Sequence, residues 1–476
     1  MAAAKPVAGT TNWTRDGTGF TWDLSKEQSE ILDKFIVDAK DHLERIKFPH
    51  EPLREAGARF LRARKYDAAA AMAMAEASHK WRDEAKLEDH ATVPTEELLG
   101  CPVDELNAFY PNVYLPVLDS HFRPVYMERT GRIDVPALMC STGQEGLLAW
   151  HKKQLVTTTP LKLANATKAR TDGRVVNSST TIMDMEGFTM GMLMGATKEY
   201  LGKITSMDSD NFPETLGTTL LINTPTIFSV AWGIIKGFID PRTQAKVKVL
   251  GTNYHEALTE LMGGPDKVPV EYGGTLVVPG IFASTLNTKA VHAGKKHSVA
   301  IRCSAGQGMR VRWISDPADI EFTVVAITGG ADKLSAVVLD PAKHAEESGA
   351  TVVYPKQAHP NSKTVTVQCR VEAADVKEET VFVATWDNSA GWNQRIVRFF
   401  AGTLPTEAEA ADAYAQELEE HGIPTEQAVK ALRERGFAAK ASEVEAAAAG
   451  ASAESSSADS GAGAAAAASA AATAAE

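Results

Sequence analysis

The stretch from residue 212 to residue 251 constrains the fold more than any other segment of this chain. It contains two short apolar runs, Thr219–Ile222 and Val247–Leu250, separated by an apolar segment of helix length. Strands joined by a helix are typically parallel neighbours in one sheet, because a tight turn cannot connect parallel strands. The stretch therefore predicts an α/β layer. Its polar corner residues are Glu214, Thr243 and Lys246.

The predicted connecting helix has an unusually wide apolar surface. Its apolar residues, on one helical face or directly beside it, are Phe228, Val230, Trp232, Ile234, Ile235, Phe238 and Ile239. Such a helix must be buried or must cover something apolar, so the pattern leaves a core helix and a lid equally open. Asn223 and Pro225 interrupt the apolar run, and for this reason we do not expect it to span a membrane.

The rest of the chain divides into segments of different periodicity. Residues 25–86 repeat apolar side chains at steps of three and four, which predicts a helical layer. The short runs Pro124–Glu128 and Thr181–Met185 fit further strands of the parallel sheet. After residue 274 the runs alternate and turn residues separate them, which is typical of an antiparallel sandwich. These runs are His297–Arg302, Met309–Trp313, Glu321–Ile327, Thr364–Val371 and Val381–Trp386.

The C-terminal part begins with two predicted short helices, Thr406–Glu420 and Thr425–Arg435. The second helix opens with Ile423-Pro424-Thr425, which is a helix-start signal. Beyond residue 446 alanine, serine and glycine dominate, so we expect residues 447–476 to be disordered.

Charge and targeting signals favour a soluble cytoplasmic protein. The net charge is -12, but 13 acidic and 4 basic residues follow Gly402, so the body of the chain is nearly balanced. This part of the chain has no excess of basic residues of the kind that binds nucleic acid, so we expect no nucleic acid to bind. Residues 1–24 contain no apolar core long enough for a signal peptide.

The cysteine content also favours a cytoplasmic protein. Cys101, Cys140, Cys303 and Cys369 are too few and too scattered for a disulfide framework. We expect buried, reduced thiols, with a bridge between Cys303 and Cys369 left open because both fall on predicted strands.

Catalytic motifs are absent from the sequence. It contains no phosphate-binding loop, no Gly-x-Ser-x-Gly elbow, no His-Glu-x-x-His and no Cys-x-x-Cys pair. We therefore expect neither an enzyme nor a resident cofactor or metal.

Several motifs together resemble one family, the CRAL-TRIO lipid-transfer family of the secretory phosphatidylinositol/phosphatidylcholine transfer type. They are Leu61-Arg62-Ala63-Arg64-Lys65-Tyr66-Asp67, Arg123-Pro124-Val125-Tyr126, Thr181-Ile182-Met183-Asp184-Met185-Glu186-Gly187 and the 212–251 stretch. The segment Val381 to Ser389 resembles a strand and turn of a GOLD domain, a β-sandwich found after CRAL-TRIO in plant patellins and animal supernatant protein factor.

The resemblance implies the following division of the chain. Residues 25–90 form an N-terminal helical subdomain and 91–275 an α/β CRAL-TRIO lipid-binding domain. Residues 276–402 form an all-β GOLD sandwich, 403–446 a short helical segment and 447–476 a partly disordered tail. The tail helices weakly resemble a ubiquitin-associated domain, but a plain amphipathic helical hairpin is the favoured interpretation.

The resemblance also implies the binding residues. An inositol phosphate headgroup is held in the family at positions that match Arg64, Glu214, Thr243 and Lys246, with Lys65 adjacent. A choline lipid is held at positions matching Ser179, Thr181, Tyr114 and Tyr126. A third tyrosine position matches His151, which would weaken a choline cage built from aromatic faces. The gate helix would be Thr226 to Gly237, with Phe228, Trp232, Ile234, Ile235 and Phe238 on it or at its end.

The function implied is the binding and transfer of phosphatidylinositol between membranes by a peripherally membrane-associated cytoplasmic protein, with phospholipid as ligand rather than cofactor. The GOLD module would bind a membrane or a protein partner. Two alternatives remain, a lipid-dependent trafficking adaptor and a carrier of another hydrophobe such as tocopherol, retinoid or squalene.

Overall fold

The N-terminal part of the chain is a layer of four helices. The computed structural model describes residues 18–239, 241–278, 287–328, 350–360, 365–369 and 380–449. Ser25 and Gln28 form a capping box at the start of the first helix, and Asp67 caps the fourth. The layer has its own core, which includes Leu32, Phe35 and Phe60. The helices are α1 Lys26–Asp38, α2 Lys40–Ile46, α3 Leu53–Ala63 and α4 Ala68–Glu84.

A five-stranded sheet follows, in the order β1-β2-β3-β4-β5. The pairs β2/β3, β3/β4 and β4/β5 are parallel, as predicted, and β1 pairs antiparallel with β2. The strand β1 was not predicted. The strands are β1 Asn112–Leu118, β2 Pro124–Glu128, β3 Ser179–Asp184, β4 Leu216–Ile222 and β5 Val247–Val249.

Helices surround this sheet. Those before β3 are α5 Thr95–Leu99, α6 Val103–Phe109, α7 Val135–Ser141, α8 Gly143–Val156 and α9 Thr158–Lys168. Those after β3 are α10 Ala196–Asn211, α11 Phe228–Ile235, α12 Pro241–Ala245 and α13 His255–Met262.

The two faces of the sheet are packed differently. On one face Val125, Ile182 and Leu220 are fully buried against Leu258 and Met262 of α13. The side chains of β3 alternate between buried and half-buried, so the opposite face, which carries Thr181, keeps accessible surface. A ligand can bind on one face of an α/β sheet only where helices leave part of that face uncovered.

The second region is all-β, as predicted. Two four-stranded antiparallel sheets, β10-β9-β12-β7 and β11-β8-β13-β6, enclose a core that includes Trp313, Phe322 and Trp386. The five predicted runs correspond to β7, β8, β9, β11 and β12, while β6, β10 and β13 were not predicted. The strands are β6 Asn287–Val291, β7 Lys296–Cys303, β8 Gly308–Asp316, β9 Ile320–Thr328, β10 Thr351–His359, β11 Val365–Cys369, β12 Thr380–Asp387 and β13 Arg395–Leu404.

A small helical bundle ends the described chain. It contains α14 Glu407–Glu420, α15 Thr425–Glu434 and a further helical segment at 438–449. Leu418 and Leu432 are fully buried in its core. Two of these helices were predicted and the third was not. Most of the tail predicted to be disordered, residues 450–476, lies outside the described residues.

Cys101, Cys303 and Cys369 are buried and none of the three is in a disulfide bond, so the bridge left open between Cys303 and Cys369 is not formed. In the described residues we find no helix with the length and apolar character needed to cross a membrane.

Candidate functional site

The candidate site is built around Glu214, which lies in the turn before β4. Its φ of 62° places it in the left-handed region, which non-glycine residues seldom adopt. The preceding Pro213 carbonyl accepts a 3.0 Å hydrogen bond from Arg59 of α3, and Arg59 is held by a buried ion pair with Glu51. The helical layer therefore fixes the backbone that presents Glu214. The turn leads directly into β4.

Three cations surround the Glu214 carboxylate. Arg242 lies 2.9 Å from it, Lys246 3.3 Å and Arg62 3.8 Å. Lys246 also donates to the carbonyl of Leu216 at 2.9 Å, and Arg242 donates to the carbonyl of Arg62. The Glu214 carboxylate thus faces three positive charges in a site that is largely shielded from solvent, and the buried carboxyl group of Glu55 also attracts Arg62.

The ionisation of the site reflects this burial. Burial lowers the pKa of Lys246, and the attraction of Glu214 offsets this only in part. Burial alone would raise the pKa of Glu214, but the charges of Lys246, Arg62 and Arg242 outweigh it and hold this pKa below its ordinary value. Burial also lowers the pKa of Arg62, whose Nε and Nη1 have no hydrogen-bond partner among the described residues. An anion placed here would stabilise the cations and satisfy these donors.

The other residues predicted for this site lie around it. Thr243 is in α12, and its carbonyl accepts from the backbone N–H of Lys246 at 3.0 Å. Arg64 ends α3, and its guanidinium donates to the carbonyl of Ala63 at 3.3 Å. Lys65 is exposed and has a φ of 54°. Among the described residues, the side chains of Arg64 and Lys65 form no hydrogen bond or ion pair with the Glu214 carboxylate.

Sequence reasoning missed the two arginines of the site. Arg62 lies in the basic run Arg62-Ala63-Arg64-Lys65, a composition typical of an exposed helix end, yet its side chain is only 1% exposed and its guanidinium lies 4.1 Å from the ring of Phe20. Arg242 follows Pro241 in the predicted connection. The one available signal was the position of Arg62 directly after the buried pair Phe60 and Leu61.

The predicted gate helix corresponds to α11, continued by a 3-10 turn at Lys236–Phe238. Phe228 and Ala231 are fully buried in a cluster that also includes Met185, Phe188 and Leu221, and Trp232 and Ile235 pack against its edge. The outer side is exposed and apolar, with Ile227 46%, Val230 55% and Ile234 38% exposed. The side chain of Phe238 lies outside the described residues.

The incompletely covered sheet face brings four predicted residues together. Tyr114 pairs with Tyr126 across β1 and β2, and Tyr126 pairs with Thr181 across β2 and β3. The rings of Tyr114 and Tyr126 meet edge to face at 5.2 Å between centroids. Ser179 lies two residues before Thr181, on the same face of β3.

His151 lies on α8, and its Nε2 is 2.7 Å from Oδ1 of Asp208 on α10. The imidazole therefore joins α8 to α10. Residues of α4, α8 and α10 line an open groove of about 900 Å³, among them Trp81, Leu148 and Met207.

The order of the sheet and the helices that connect its parallel strands define an α/β protein. The sequence profile of the CRAL/TRIO domain matches residues 110–274. The Sec14 cytosolic factor of Schizosaccharomyces pombe is 33% identical over 228 residues, which are 47% of this chain and 74% of that protein. The chain belongs to the CRAL/TRIO family.

Plant relatives are longer than the matching region. The phosphatidylinositol/phosphatidylcholine transfer protein SFH4 of Arabidopsis thaliana is 35% identical over 218 residues, which are 46% of this chain but only 34% of SFH4. Among solved structures, that of Sfh5 covers 52% of the chain with 15% identity and a TM-score of 0.39, too low a similarity to extend the argument.

Proposed function

We propose that this protein binds one phospholipid, with phosphatidylinositol as a main ligand, and transfers it between membranes. The observation that carries the proposal is the Glu214 cluster, in which one buried carboxylate faces Arg62, Arg242 and Lys246. Relatives named as phosphatidylinositol/phosphatidylcholine transfer proteins support it.

The headgroup chemistry follows from the charge of the cluster. A lipid phosphate brings one negative charge and acceptor oxygens, which suit a cluster in which cations outnumber carboxylates and the unsatisfied N–H groups of Arg62. Glu214 offers acceptor oxygens to inositol hydroxyls. We place the inositol phosphate headgroup here, with Thr243, Arg64 and Lys65 at its rim.

The acyl chains determine how the lipid enters and leaves. A diacyl lipid buries on the order of thirty methylene groups, and releasing them into water costs roughly 25 kcal/mol at about 0.8 kcal/mol each. Exchange must therefore occur at a bilayer, where the chains pass between two apolar environments. The exposed residues Ile227, Val230 and Ile234 of α11 suit a gate helix that lies against such a surface. No covalent step and no cofactor are needed, and the protein would act in the cytoplasm as a peripheral membrane protein.

The test compares Lys246→Ala and Glu214→Gln with Lys248→Ala. Lys248 is an exposed lysine two residues further along β5, so its replacement is a matched control. Loss of charged hydrogen bonds worth about 1.5–3 kcal/mol should lower phosphatidylinositol transfer between vesicles by about 10-fold to 100-fold. Unchanged phosphatidylinositol transfer in both site variants would refute the headgroup site.

A second candidate function, a lipid-dependent adaptor with a GOLD module, is favoured by the docking of the β-sandwich on the lipid domain. Arg312 of β8 lies 2.7 Å from the buried Glu105 of α6 and donates to the carbonyls of Gly100 and Ser141. Through such contacts, ligand binding in one domain can alter the conformation of the other domain. Mass spectrometry of copurifying lipids, followed by a transfer assay, separates this function from transfer and from the carriage of tocopherol, retinoid or squalene.

A further inference from the structure

A short hairpin at the start of the described chain contacts the Glu214 cluster. It comprises residues 18–23. The backbone N–H of Thr18 donates to the carbonyl of Asp23 at 3.0 Å, and the N–H of Asp23 donates to the carbonyl of Phe20 at 2.8 Å. The ring of Phe20 lies against Arg62, the cation of the cluster that α3 carries. Neither Phe20 nor the hairpin was predicted to take part in binding.

Two hydrogen bonds fix the hairpin on the helical layer. The hydroxyl of Tyr66 donates to the carbonyl of Gly19 at 2.8 Å, and the hydroxyl of Thr21 donates to the carboxyl group of Glu55. Glu55 belongs to α3 and lies about two helical turns before Arg62. The helix that carries Arg62 therefore also holds the hairpin beside it.

The ring of Phe20 covers one side of the Arg62 guanidinium. The guanidinium carbon lies 4.1 Å from the ring centroid, which is within the range of a cation–π contact. The side chain of Arg62 is 1% exposed, and such contacts are stronger where water is excluded. A guanidinium is planar and carries its N–H groups at its edge, so a ring on its face leaves these groups able to donate.

Arg62 differs in this respect from Arg59 on the same helix. Arg59 donates to Glu51 and to the carbonyl of Pro213, so the protein itself supplies its partners. Nε and Nη1 of Arg62 have no hydrogen-bond partner among the described residues, and Nε lies 3.8 Å from Glu214, too far for a hydrogen bond. Buried donors without a partner are rare in folded proteins and need an explanation. An acceptor oxygen from a ligand would supply the partner.

We propose that the hairpin of residues 18–23 is part of the headgroup site, and that Phe20 positions Arg62 to bind the phosphate of an inositol lipid. A guanidinium already held against a ring loses little further freedom when phosphate binds, so the entropic cost of its hydrogen bonds is smaller. The inference rests on the proposed function, to which it adds a positioning residue.

A positioning role couples the hairpin to the ligand, whereas a purely structural role does not. If the contact between Phe20 and Arg62 strengthens phosphate binding, bound phosphate must strengthen that contact by the same factor. The hairpin should therefore open less often in the lipid-bound protein than in the protein without the lipid.

The first experiment compares Phe20→Leu and Phe20→Tyr with the unmodified full chain. It measures the equilibrium binding of labelled phosphatidylinositol from phosphatidylcholine vesicles. Phe20→Leu keeps the apolar bulk but removes the aromatic face, so we expect the affinity to fall by about threefold to 30-fold. Phe20→Tyr keeps the face and should retain at least about half of the affinity. An equal loss in both variants, or no loss in Phe20→Leu, would overturn the proposal.

The matched control is Phe122→Leu. The guanidinium carbon of Arg170 lies 5.0 Å from the centroid of the Phe122 ring, so the same substitution removes the same type of contact. Arg170 is paired with Asp172. We expect unchanged binding of phosphatidylinositol. A loss as large as that in Phe20→Leu would contradict a specific role of Phe20.

The second measurement needs no variant, so it does not depend on the folding of Phe20→Leu. Hydrogen exchange at the backbone N–H groups of Thr18 and Asp23 reports opening of the hairpin, because both donate within it. We expect exchange to slow by at least about threefold with vesicles that contain phosphatidylinositol, compared with vesicles of phosphatidylcholine alone. Equal exchange under both conditions would contradict the proposal.

Lys246→Ala, measured in parallel, separates this inference from the proposed function. Loss of phosphatidylinositol binding in Lys246→Ala together with full binding in Phe20→Leu would reject the role of Phe20 and retain the headgroup site. No binding of phosphatidylinositol by the unmodified protein would reject the proposed function and this inference with it.

Discussion

Glu214 combines a strained backbone conformation with the central position in a cluster of three cations. Its left-handed backbone costs roughly 1–2 kcal/mol for a residue with a side chain, and such positions persist only where their surroundings hold them. Arg59 holds the preceding carbonyl, and three cations hold the carboxylate. The sequence indicated Glu214 and Lys246 through a resemblance. It did not indicate Arg62 or Arg242, because a basic residue near a helix end is usually solvent-exposed.

The first prediction concerns the buried ion pair under this turn. Arg59 and Glu51 are almost inaccessible and are joined by two hydrogen bonds of 3.0 Å. Arg59→Met leaves Glu51 buried without its cation, so we expect the free energy of unfolding to fall by about 3–5 kcal/mol. Urea unfolding measures this. Arg54→Met, which removes an exposed pair with Asp33, is the control and should change stability by less than about 1 kcal/mol.

The second prediction is the pH dependence that the same pair imposes. Burial alone would raise the pKa of Glu51, but Arg59 outweighs it, so the folded-state pKa lies below the ordinary value. A lowered folded-state pKa stabilises the protein above the unfolded value of about 4.3, and this stability is lost as the pH falls. Urea midpoints from pH 7 down to about 3.5 should therefore decline more steeply in the unmodified protein than in Glu51→Gln. Parallel declines would contradict the assignment.

At the scale of secondary-structure elements, the sequence predicted those strands that have a clear hydrophobic pattern. The strands β2, β3, β4 and β5 were predicted from short apolar runs, and each was found. The strand β1 was missed because Pro116 lies inside it, and proline removes a ladder hydrogen bond. As an edge strand β1 tolerates the proline, and its register shifts between Tyr114 and Leu118. Which side of α11 would be buried was not predictable, because apolar residues occupy nearly all of it.

The third prediction tests α11 as a gate. Ile234 is 38% exposed, so Ile234→Asp should leave the fold intact while it adds a charge to the surface proposed to meet the bilayer. We expect vesicle-to-vesicle transfer to fall by at least about tenfold, since inserting a charge into the interface costs more than 1.4 kcal/mol. Val37→Asp on α1, at a 71% exposed position, is the control. A folded Ile234→Asp protein with normal transfer would show that α11 is not the gate.

At the scale of the whole molecule, the β-sandwich and the C-terminal bundle are both docked on the segment between α4 and β1. Arg310 and Arg312 of β8 pair with Glu96 and Glu105. Arg435, beyond α15, pairs with Glu97 at 2.6 Å. Local sequence patterns carry no signal for such contacts, because each partner is an ordinary charged residue far away along the chain.

The last prediction concerns the buried contact of the bundle. Lys153 of α8 is 1% exposed, donates to the carbonyl of Val93 at 2.6 Å and pairs with Glu417 of α14, which also accepts from Thr95. Burial lowers the pKa of Lys153, and Glu417 offsets this only in part. Lys153→Met and Glu417→Gln should each weaken docking, because each leaves one buried charge unpaired at a cost of about 3–5 kcal/mol. Hydrogen exchange of α14 in the full chain measures the loss of docking.

The double variant Lys153→Met with Glu417→Gln distinguishes a true pair from two independent effects. Removing both charges leaves neither unpaired, so the loss of protection in α14 should be smaller than the sum of the two single losses. Lys440→Met, which removes the exposed pair with Asp412 inside the bundle, is the control and should not alter docking. Additive losses in the double variant would mean that Lys153 and Glu417 act separately, and docking would then depend on the neighbouring contact between Arg435 and Glu97.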